Sequence, residues 1–316
     1  MSTEERLTSV ATTVHRVAVL LAAGVAPNTA WTYLDVESVP MISRVAAAVT
    51  TGTSVPSAIM AEFPVSAQEV TQGAPQEGTP EANAWHSVAA AWRVATVAGT
   101  PLAPSLRSVA IALRAWADAQ REVQIALAGP VATARMVMGL PAVAVGLGIL
   151  LGFDPLRTLF TTSLGLVFLI TGLVLIGVAA WWNHRLVAQA QPDDINPGLL
   201  CELTAIGISG GSSASRAREL VDGALTECRI TVMPEDRAVV ERIIELSARA
   251  GVPSAELLRA EAEELRRLAR ASAAKKAAVL SVRLMLPLGL CILPAFMVLG
   301  VVPLTLSLMS STMQGF

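Results

Sequence analysis

Three long apolar runs, at residues 131–153, 159–182 and 284–309, constrain the fold of this chain more than any other feature. An α-helix needs about twenty mostly apolar residues to cross a lipid bilayer, and each run reaches that length. Charged residues make up only 15% of the chain, compared with roughly 25% in soluble domains. The sequence therefore predicts an all-α membrane protein with three transmembrane helices.

The distribution of arginine and lysine predicts the orientation of these helices, because the cytoplasmic flanks of membrane helices are enriched in both. The loop 154–158 contains a single arginine, and the tail 310–316 has no charged residue. We therefore expect a multi-pass protein of the cytoplasmic membrane, with helical bundles at 1–130 and 183–283 in the cytoplasm and with the loop and tail outside. The basic residues on the predicted cytoplasmic side are Arg121, Arg135, Arg185, Arg266, Arg267, Arg270, Lys275, Lys276 and Arg283.

The predicted cytoplasmic segments have the periodicity of helices. Apolar residues from Leu102 to Val123 recur every three or four positions, which indicates one long amphipathic helix that begins beside Pro101. The apolar run at 10–21 has the same spacing, and we interpret it as a buried helix because acidic residues precede it, unlike the positive start of a signal peptide. Proline, glycine and polar residues at 64–83 and 191–198 predict exposed loops.

One helical module recurs along the chain. Gly99 and Gly251 each precede a proline by two positions, and a helical pattern with an arginine thirteen residues beyond that proline follows in both cases. Each pattern then leads to an arginine and a proline at the start of an apolar run. The repetition predicts a duplicated bundle in which each copy leads into a membrane helix.

The sequence contains few residue patterns that could support catalysis. No glycine-rich loop ends in Gly-Lys-Ser or Gly-Lys-Thr, so ATP hydrolysis through that motif is excluded. Ser209 lies in a Gly-x-Ser-x-Gly pattern, but the residues before it are helical in character, whereas a nucleophile elbow follows a strand. The three histidines are isolated, which argues against a metal site, and the net charge of −2 argues against nucleic-acid binding. We expect no cofactor and no enzymatic activity.

Two other functions remain open alongside a scaffold. A small-solute transporter or channel would usually carry ionisable residues in its membrane helices, and the apolar runs contain no Asp, Glu, Lys or His. A hydrolase that uses Ser209 is the second alternative, and a Ser209→Ala variant would distinguish it. Four prolines, Pro141, Pro287, Pro294 and Pro303, are expected to kink the first and third membrane helices.

The order of these features resembles the F-domain platform proteins of type II secretion and type IV pilus machines. The similarity is greatest to the tight-adherence (Tad/Flp) pilus branch, and it covers roughly residues 8–63 and 85–310. It is carried by Leu20–Pro27, Thr51–Val55, Ala98–Leu102, Arg121–Val123, Ala132–Arg135, Ala250–Pro253, Leu265–Arg267, Val282–Pro287 and Cys291–Phe296.

The resemblance implies a scaffold in the cytoplasmic membrane that couples a hexameric secretion ATPase to the extraction of pilin or pseudopilin subunits and to filament assembly. It also implies that the chain binds another platform subunit or a second copy of itself. A further implied contact is with the lipid bilayer. The chain could act alone or as one of a pair. The residues expected to shape the junctions, the partner interfaces and the membrane entries are Gly24, Gly52, Gly99, Pro101, Gly251, Pro253, Arg135, Pro141, Arg283, Pro287 and Pro294. We expect Gly99→Leu or Gly251→Leu to disrupt the bundle and abolish assembly.

Overall fold

The computed structural model describes residues 3–34, 40–63, 79–150, 160, 163–188, 197–302 and 305. Every regular element within these ranges is helical, which confirms the predicted all-α class for the part of the chain described. The helices are α1 (Thr3–Ala22), α2 (Pro27–Ala30), α3 (Pro40–Thr50), α4 (Val55–Glu62), α5 (Pro80–Ala98), α6 (Leu102–Leu150), α7 (Ser163–Ala188), α8 (Leu199–Ser209), α9 (Ala214–Glu227), α10 (Pro234–Ala250) and α11 (Ser254–Arg283).

The chain divides into two compact units. The first unit contains residues 1–121 and 193–271, and the second contains 122–192 and 272–316. A single hydrophobic core joins α1, α5 and the start of α6 to α8, α9 and α10. The segments that we predicted as two cytoplasmic bundles therefore share one core within the first unit, and their origin as two copies of one module stays a prediction.

Helix α5 lies at the centre of the first unit, where α1, α4, α8 and α9 all pack against it. Alanine makes this central position possible, because its small side chain lets neighbouring backbones approach closely on several sides. Ala84, Ala89, Ala90, Ala91 and Ala95 are all completely buried. The helix also contributes two tryptophans, whose rings lie 6.3 and 6.1 Å from the ring of the buried Trp31. Tilted aromatic pairs at this distance add to the stabilisation that burial supplies.

Helix α1 confirms the interpretation of the N-terminal apolar run. Val10, Val14 and Val17 are buried in the shared core, as the helical spacing predicted. The predicted loop at 64–83 is wrong at its C-terminal end, because α5 begins at Pro80. Thr79 caps this helix by accepting a hydrogen bond from the backbone N–H of Ala82 at 3.3 Å, and proline is favoured at the first helical position.

The second unit contains two helical stretches that are long and apolar enough to cross a membrane, Gly165–Leu186 and part of Ser254–Val301. Only 17% of the most apolar window in Gly165–Leu186 is buried inside the protein. The core helix of a soluble protein would instead be mostly covered, so this exposed apolar surface is typical of a helix that contacts lipid. The first predicted membrane segment, 131–153, is not among these stretches.

The last apolar stretch is helical but irregular. Its α-helical turns at Met285–Pro287 and Leu293–Phe296 alternate with π-helical turns at Leu288–Ile292 and Met297–Val301. Proline lacks a backbone N–H, and local widening of the helix is one way in which membrane helices accommodate the lost hydrogen bond. By contrast, α6 continues without interruption through Pro141. The loop 154–158, the tail 310–316, Pro303 and most of the linker 191–198 lie outside the described residues.

Candidate functional site

Four of the glycines selected from the sequence end helices in the left-handed conformation. The φ angles of Gly24, Gly52, Gly99 and Gly251 are 89°, 97°, 71° and 69°. At the first three of them, the next residue donates a backbone hydrogen bond to a carbonyl five positions earlier, at 2.9–3.1 Å. This pattern is the Schellman cap, which glycine favours because it has no Cβ.

Two of these caps precede α6 and α11, the two longest of the helices described. The backbone N–H of Thr100 bonds to Ala95 O at 2.9 Å, and that of Val252 bonds to Ser247 O at 3.3 Å. Pro101 and Pro253 follow, and α6 and α11 then begin at Leu102 and Ser254. Proline restricts the chain at these turns, so both junctions start a long helix in a defined direction.

The structure changes the expectation for leucine at Gly99 or Gly251. A Cβ built on either glycine meets no atom within 4 Å. The structural cost of a substitution is therefore the free energy needed to hold an L-residue in the left-handed backbone conformation. This cost is about 1–2 kcal/mol. This cost would weaken the junction without a direct clash at Cβ, a smaller effect than complete disruption of the bundle.

The first junction is fixed against the C-terminus of α8. The hydroxyl of Thr100 donates a buried hydrogen bond to Ile206 O at 2.8 Å. Gly210, the residue that follows α8, lies so close to α5 that a built Cβ would be 2.8 Å from Thr100 Oγ1 and would overlap Ala98 O. The absence of a side chain at position 210 is thus what allows the two helix ends to meet.

A row of arginines on α11 completes the contacts between the long helices. Arg259 donates to Ser209 Oγ at 2.6 Å, Arg266 pairs with Glu202 at 3.5 Å, and Arg270 donates to Ala115 O at 3.2 Å. Steps of seven and four residues place these side chains on one face of a helix. We call this set, together with the first junction, the helix clamp. It ties α11 to α8 and to the start of α6.

The pair of Glu202 and Arg266 is the buried part of the helix clamp. Their side chains are 4% and 15% exposed. Among the described residues, Glu202 Oε1 and Arg266 Nη1 have no further hydrogen-bond partner. Removing one member of such a pair leaves an uncompensated buried charge and costs about 3–5 kcal/mol. The pair therefore links α11 to α8 through a buried ionic contact that is sensitive to loss of either partner.

The residues considered for catalysis do not form a reactive group in the described structure. Ser209 ends a helix and does not follow a strand, and its hydroxyl donates to Ala205 O at 2.7 Å while it accepts from Arg259. Burial lowers the pKa of His86, whose Nε2 lies 3.3 Å from Phe63 O. No group of three His, Cys, Asp or Glu side chains could hold a metal ion in the part of the chain described.

The remaining residues predicted from the sequence lie in the second unit. Arg283 is exposed at the end of α11, and Pro287 and Pro294 lie within the irregular last stretch. Arg135 and Pro141 belong to α6, and the structure describes their backbone only. Sequence reasoning missed Thr100, Glu202 and Gly210 as contact residues. A single glutamate within the apolar run of α8 was the one available signal.

Comparison with known proteins finds no matching family model, no matching curated protein and no matching solved structure. The function of this chain must therefore be argued from the helix clamp, the shared core and the exposed apolar helices.

Proposed function

We propose that this chain is a membrane scaffold, the platform of a type II secretion or tight-adherence pilus machine. Its cytoplasmic unit would bind a hexameric secretion ATPase, and its membrane helices would hold pilin or pseudopilin subunits during filament assembly. The observation that carries the proposal is the helix clamp, which fastens together the two long helices, α6 and α11, that lead from the core of the first unit toward apolar, exposed segments.

The shared core supports three membrane crossings. Residues 1–121 and 193–271 belong to one core, so both must lie on the same side of a membrane. The chain between them must then cross an even number of times. Gly165–Leu186 supplies one crossing, and 131–153 is the other apolar run long enough within that interval.

The exposure of the C-terminal part of α6 agrees with this second crossing. Met136, Val143, Leu147 and Leu150 are between 57% and 86% exposed. Such large apolar side chains in contact with water would cost free energy in proportion to their area, roughly 25 cal/mol per Å². A lipid environment removes that cost. With the last stretch as the third crossing, the C-terminal tail 310–316 would lie outside.

A scaffold without a catalytic site can still transmit motion. Packed helices move as rigid bodies when charged pairs and close backbone contacts fix their relative position. In the first unit, the close approach at Gly210 and the pair of Glu202 and Arg266 provide such fixation. A displacement that the ATPase imposes on this unit would reach α6 and α11 together.

The test is affinity purification of the tagged chain from its own membranes after mild crosslinking, followed by identification of partners. We expect a secretion ATPase crosslinked to residues 1–130 or 183–283, together with a pilin-like subunit. A matched preparation of Glu202→Gln should keep its membrane location and recover less ATPase, because the buried arginine loses its counter-charge.

Recovery of abundant chain without an ATPase and without a pilin-like protein would contradict the platform. The transporter alternative would then be tested by solute flux in proteoliposomes. A hydrolase would be indicated only if activity were present and were lost in Ser209→Ala.

A further inference from the structure

A basic groove lies at the membrane end of α11 within the second unit. Its volume is about 350 Å³. The polar lining consists of Ser272, Lys275, Lys276 and Arg283, and the apolar lining consists of Leu186, Val279 and Leu280. Positions 272, 276, 279 and 283 follow the steps of four and three residues that define one face of a helix, so α11 itself supplies most of the groove.

The groove lies in a unit that contains more basic than acidic residues. The chain has only two lysines, and both line the groove. Residues 122–192 and 272–316 contain six arginines and lysines but only two acidic residues. Neither Lys275 nor Arg283 pairs with a carboxylate among the residues described. Two basic side chains in one groove, neither of them paired with a carboxylate among the residues described, favour an anionic ligand.

The surroundings of the groove indicate the class of that ligand. One wall residue of the groove is Leu186, the last residue of the apolar stretch of α7. Beyond Arg283 the surface becomes apolar, since Met285 and Leu286 are 69% and 55% exposed. A free phosphate would use only the charges, whereas a phospholipid also uses an apolar surface beside them.

The aromatic residues of α7 fit a position at the membrane surface. Trp181 is 61% exposed, and the guanidinium of Arg185 lies 5.4 Å from the centre of its ring. Tryptophan and arginine are enriched at the level of lipid headgroups, where one part of the side chain is apolar and the other contacts water. Both residues lie within five positions of Leu186, at the same end of the helix as the groove.

We propose that this groove binds the phosphate of an anionic phospholipid, with its acyl chains along the apolar surface beyond Arg283. The ammonium group of Lys275 and the guanidinium of Arg283 contact the phosphate oxygens, and Leu186 and Leu280 contact the glycerol and upper acyl region. Basic grooves between membrane helices on the cytoplasmic side are suited to such headgroups. The proposal rests on the membrane location of α7 and of the last stretch.

The test is native mass spectrometry of the full-length protein in detergent, titrated with dioleoyl phosphatidylglycerol and separately with dioleoyl phosphatidylcholine. We expect preferential binding of phosphatidylglycerol. The double variant Lys275→Gln/Arg283→Gln should bind it about tenfold more weakly or worse, from the usual contribution of two basic residues to anionic lipid binding. Near-UV circular dichroism of the tryptophans serves as the check that the variant is folded.

The control variant Arg107→Gln/Arg249→Gln removes the same charge from exposed positions of the first unit, and it should bind phosphatidylglycerol as the wild type does. Equal binding of the two lipids by the wild type, or an equal loss in both double variants, would overturn the proposal. Displacement of the lipid by millimolar glycerol phosphate would show a site for free phosphates, and this result would also overturn it.

Carbonate extraction separates this proposal from the membrane location on which it rests. Protein that stays in the membrane pellet but shows no lipid preference contradicts the lipid site alone. Protein that is released into the supernatant contradicts the membrane location, and with it the proposed platform.

Discussion

Replacement of Gly210 by alanine should destabilise the first unit through a steric effect alone. Gly210 has a φ of −78° and a ψ of 5°, which alanine adopts without strain. The added Cβ would lie 2.8 Å from Thr100 Oγ1 and would overlap Ala98 O. The C-termini of α5 and α8 must therefore separate, and the bond from Thr100 to Ile206 O would lengthen or break.

The expected magnitude follows from these two effects. Overpacking of a well-packed contact costs about 1–3 kcal/mol, and a buried hydrogen-bonding group left without its partner costs about 1–3 kcal/mol. The total is about 2–6 kcal/mol. For a unit of about 200 residues, each kcal/mol lowers the unfolding temperature by about 2–4 °C. We expect a decrease of about 4–24 °C.

Two other glycines of the first unit provide matched controls. Gly211 has a φ of 86° and free space at Cβ, so Gly211→Ala should cost about 1 kcal/mol from backbone strain only. Gly223 lies inside α9 with free space at Cβ, and Gly223→Ala should stabilise by about 1 kcal/mol. Thermal unfolding of the full chain in detergent, followed by tryptophan fluorescence, measures all three. An unfolding temperature of Gly210→Ala within 2 °C (about 1 kcal/mol or less) of the wild type would refute the close approach of α5 and α8.

Three further predictions concern single residues in either unit. Arg229 has a φ of 54°, so Arg229→Gly should be about 1 kcal/mol more stable than Arg229→Ala, which loses the same side-chain contacts; equal unfolding temperatures would contradict a left-handed residue there. A Cβ on Gly172 would lie 2.5 Å from Leu299 Cδ1, whereas a Cβ on Gly177 meets nothing within 4 Å. Gly172→Ala should therefore lower the free energy of unfolding in detergent by about 1–3 kcal/mol. Gly177→Ala should not lower it. Because burial lowers the pKa of His86, its neutral form stabilises the fold above pH about 6.5, and that stability is lost as the pH falls through the lowered pKa. The unfolding temperature should therefore fall less between pH 7.5 and 5.5 in His86→Gln than in the wild type, and parallel curves would show that His86 does not contribute.

The helix starts and caps could be predicted because their signals are local. Gly99 and Gly251 followed by proline mark a helix end and a new helix start, and the structure has α6 and α11 beginning directly after Pro101 and Pro253. The apolar spacing from Leu102 predicted which face of α6 is buried. Such signals depend on backbone preferences within a few residues.

The shared core and the helix clamp could not be predicted because they depend on contacts far apart in sequence. Thr100 and Ile206 are separated by 106 positions, and Glu202 and Arg266 by 64. No periodic pattern relates such positions, and a glycine needed for close approach looks the same in sequence as one needed for a turn. Arg229 was missed for a related reason, since arginine carries no signal for a left-handed conformation.

The predicted topology can be measured by labelling single cysteines with a membrane-impermeant maleimide. Burial raises the pKa of Cys201 to about 12 and that of Cys228 to about 11. Because the thiolate is the reactive form, these two native cysteines should contribute little background near neutral pH. Cys291 lies in the last apolar stretch and would be replaced by serine.

The most direct test of the proposed topology compares Arg157→Cys, in the loop between the first two predicted crossings, with Asp118→Cys, at an exposed position of the first unit. We expect intact spheroplasts to label Arg157→Cys, and we expect Asp118→Cys to react only after the membrane is permeabilised. If intact spheroplasts label both cysteines, the loop lies on the same side as the first unit. The same conclusion holds if both cysteines react only after the membrane is permeabilised. Either result would contradict the crossing at 131–153 and the cytoplasmic scaffold built on it.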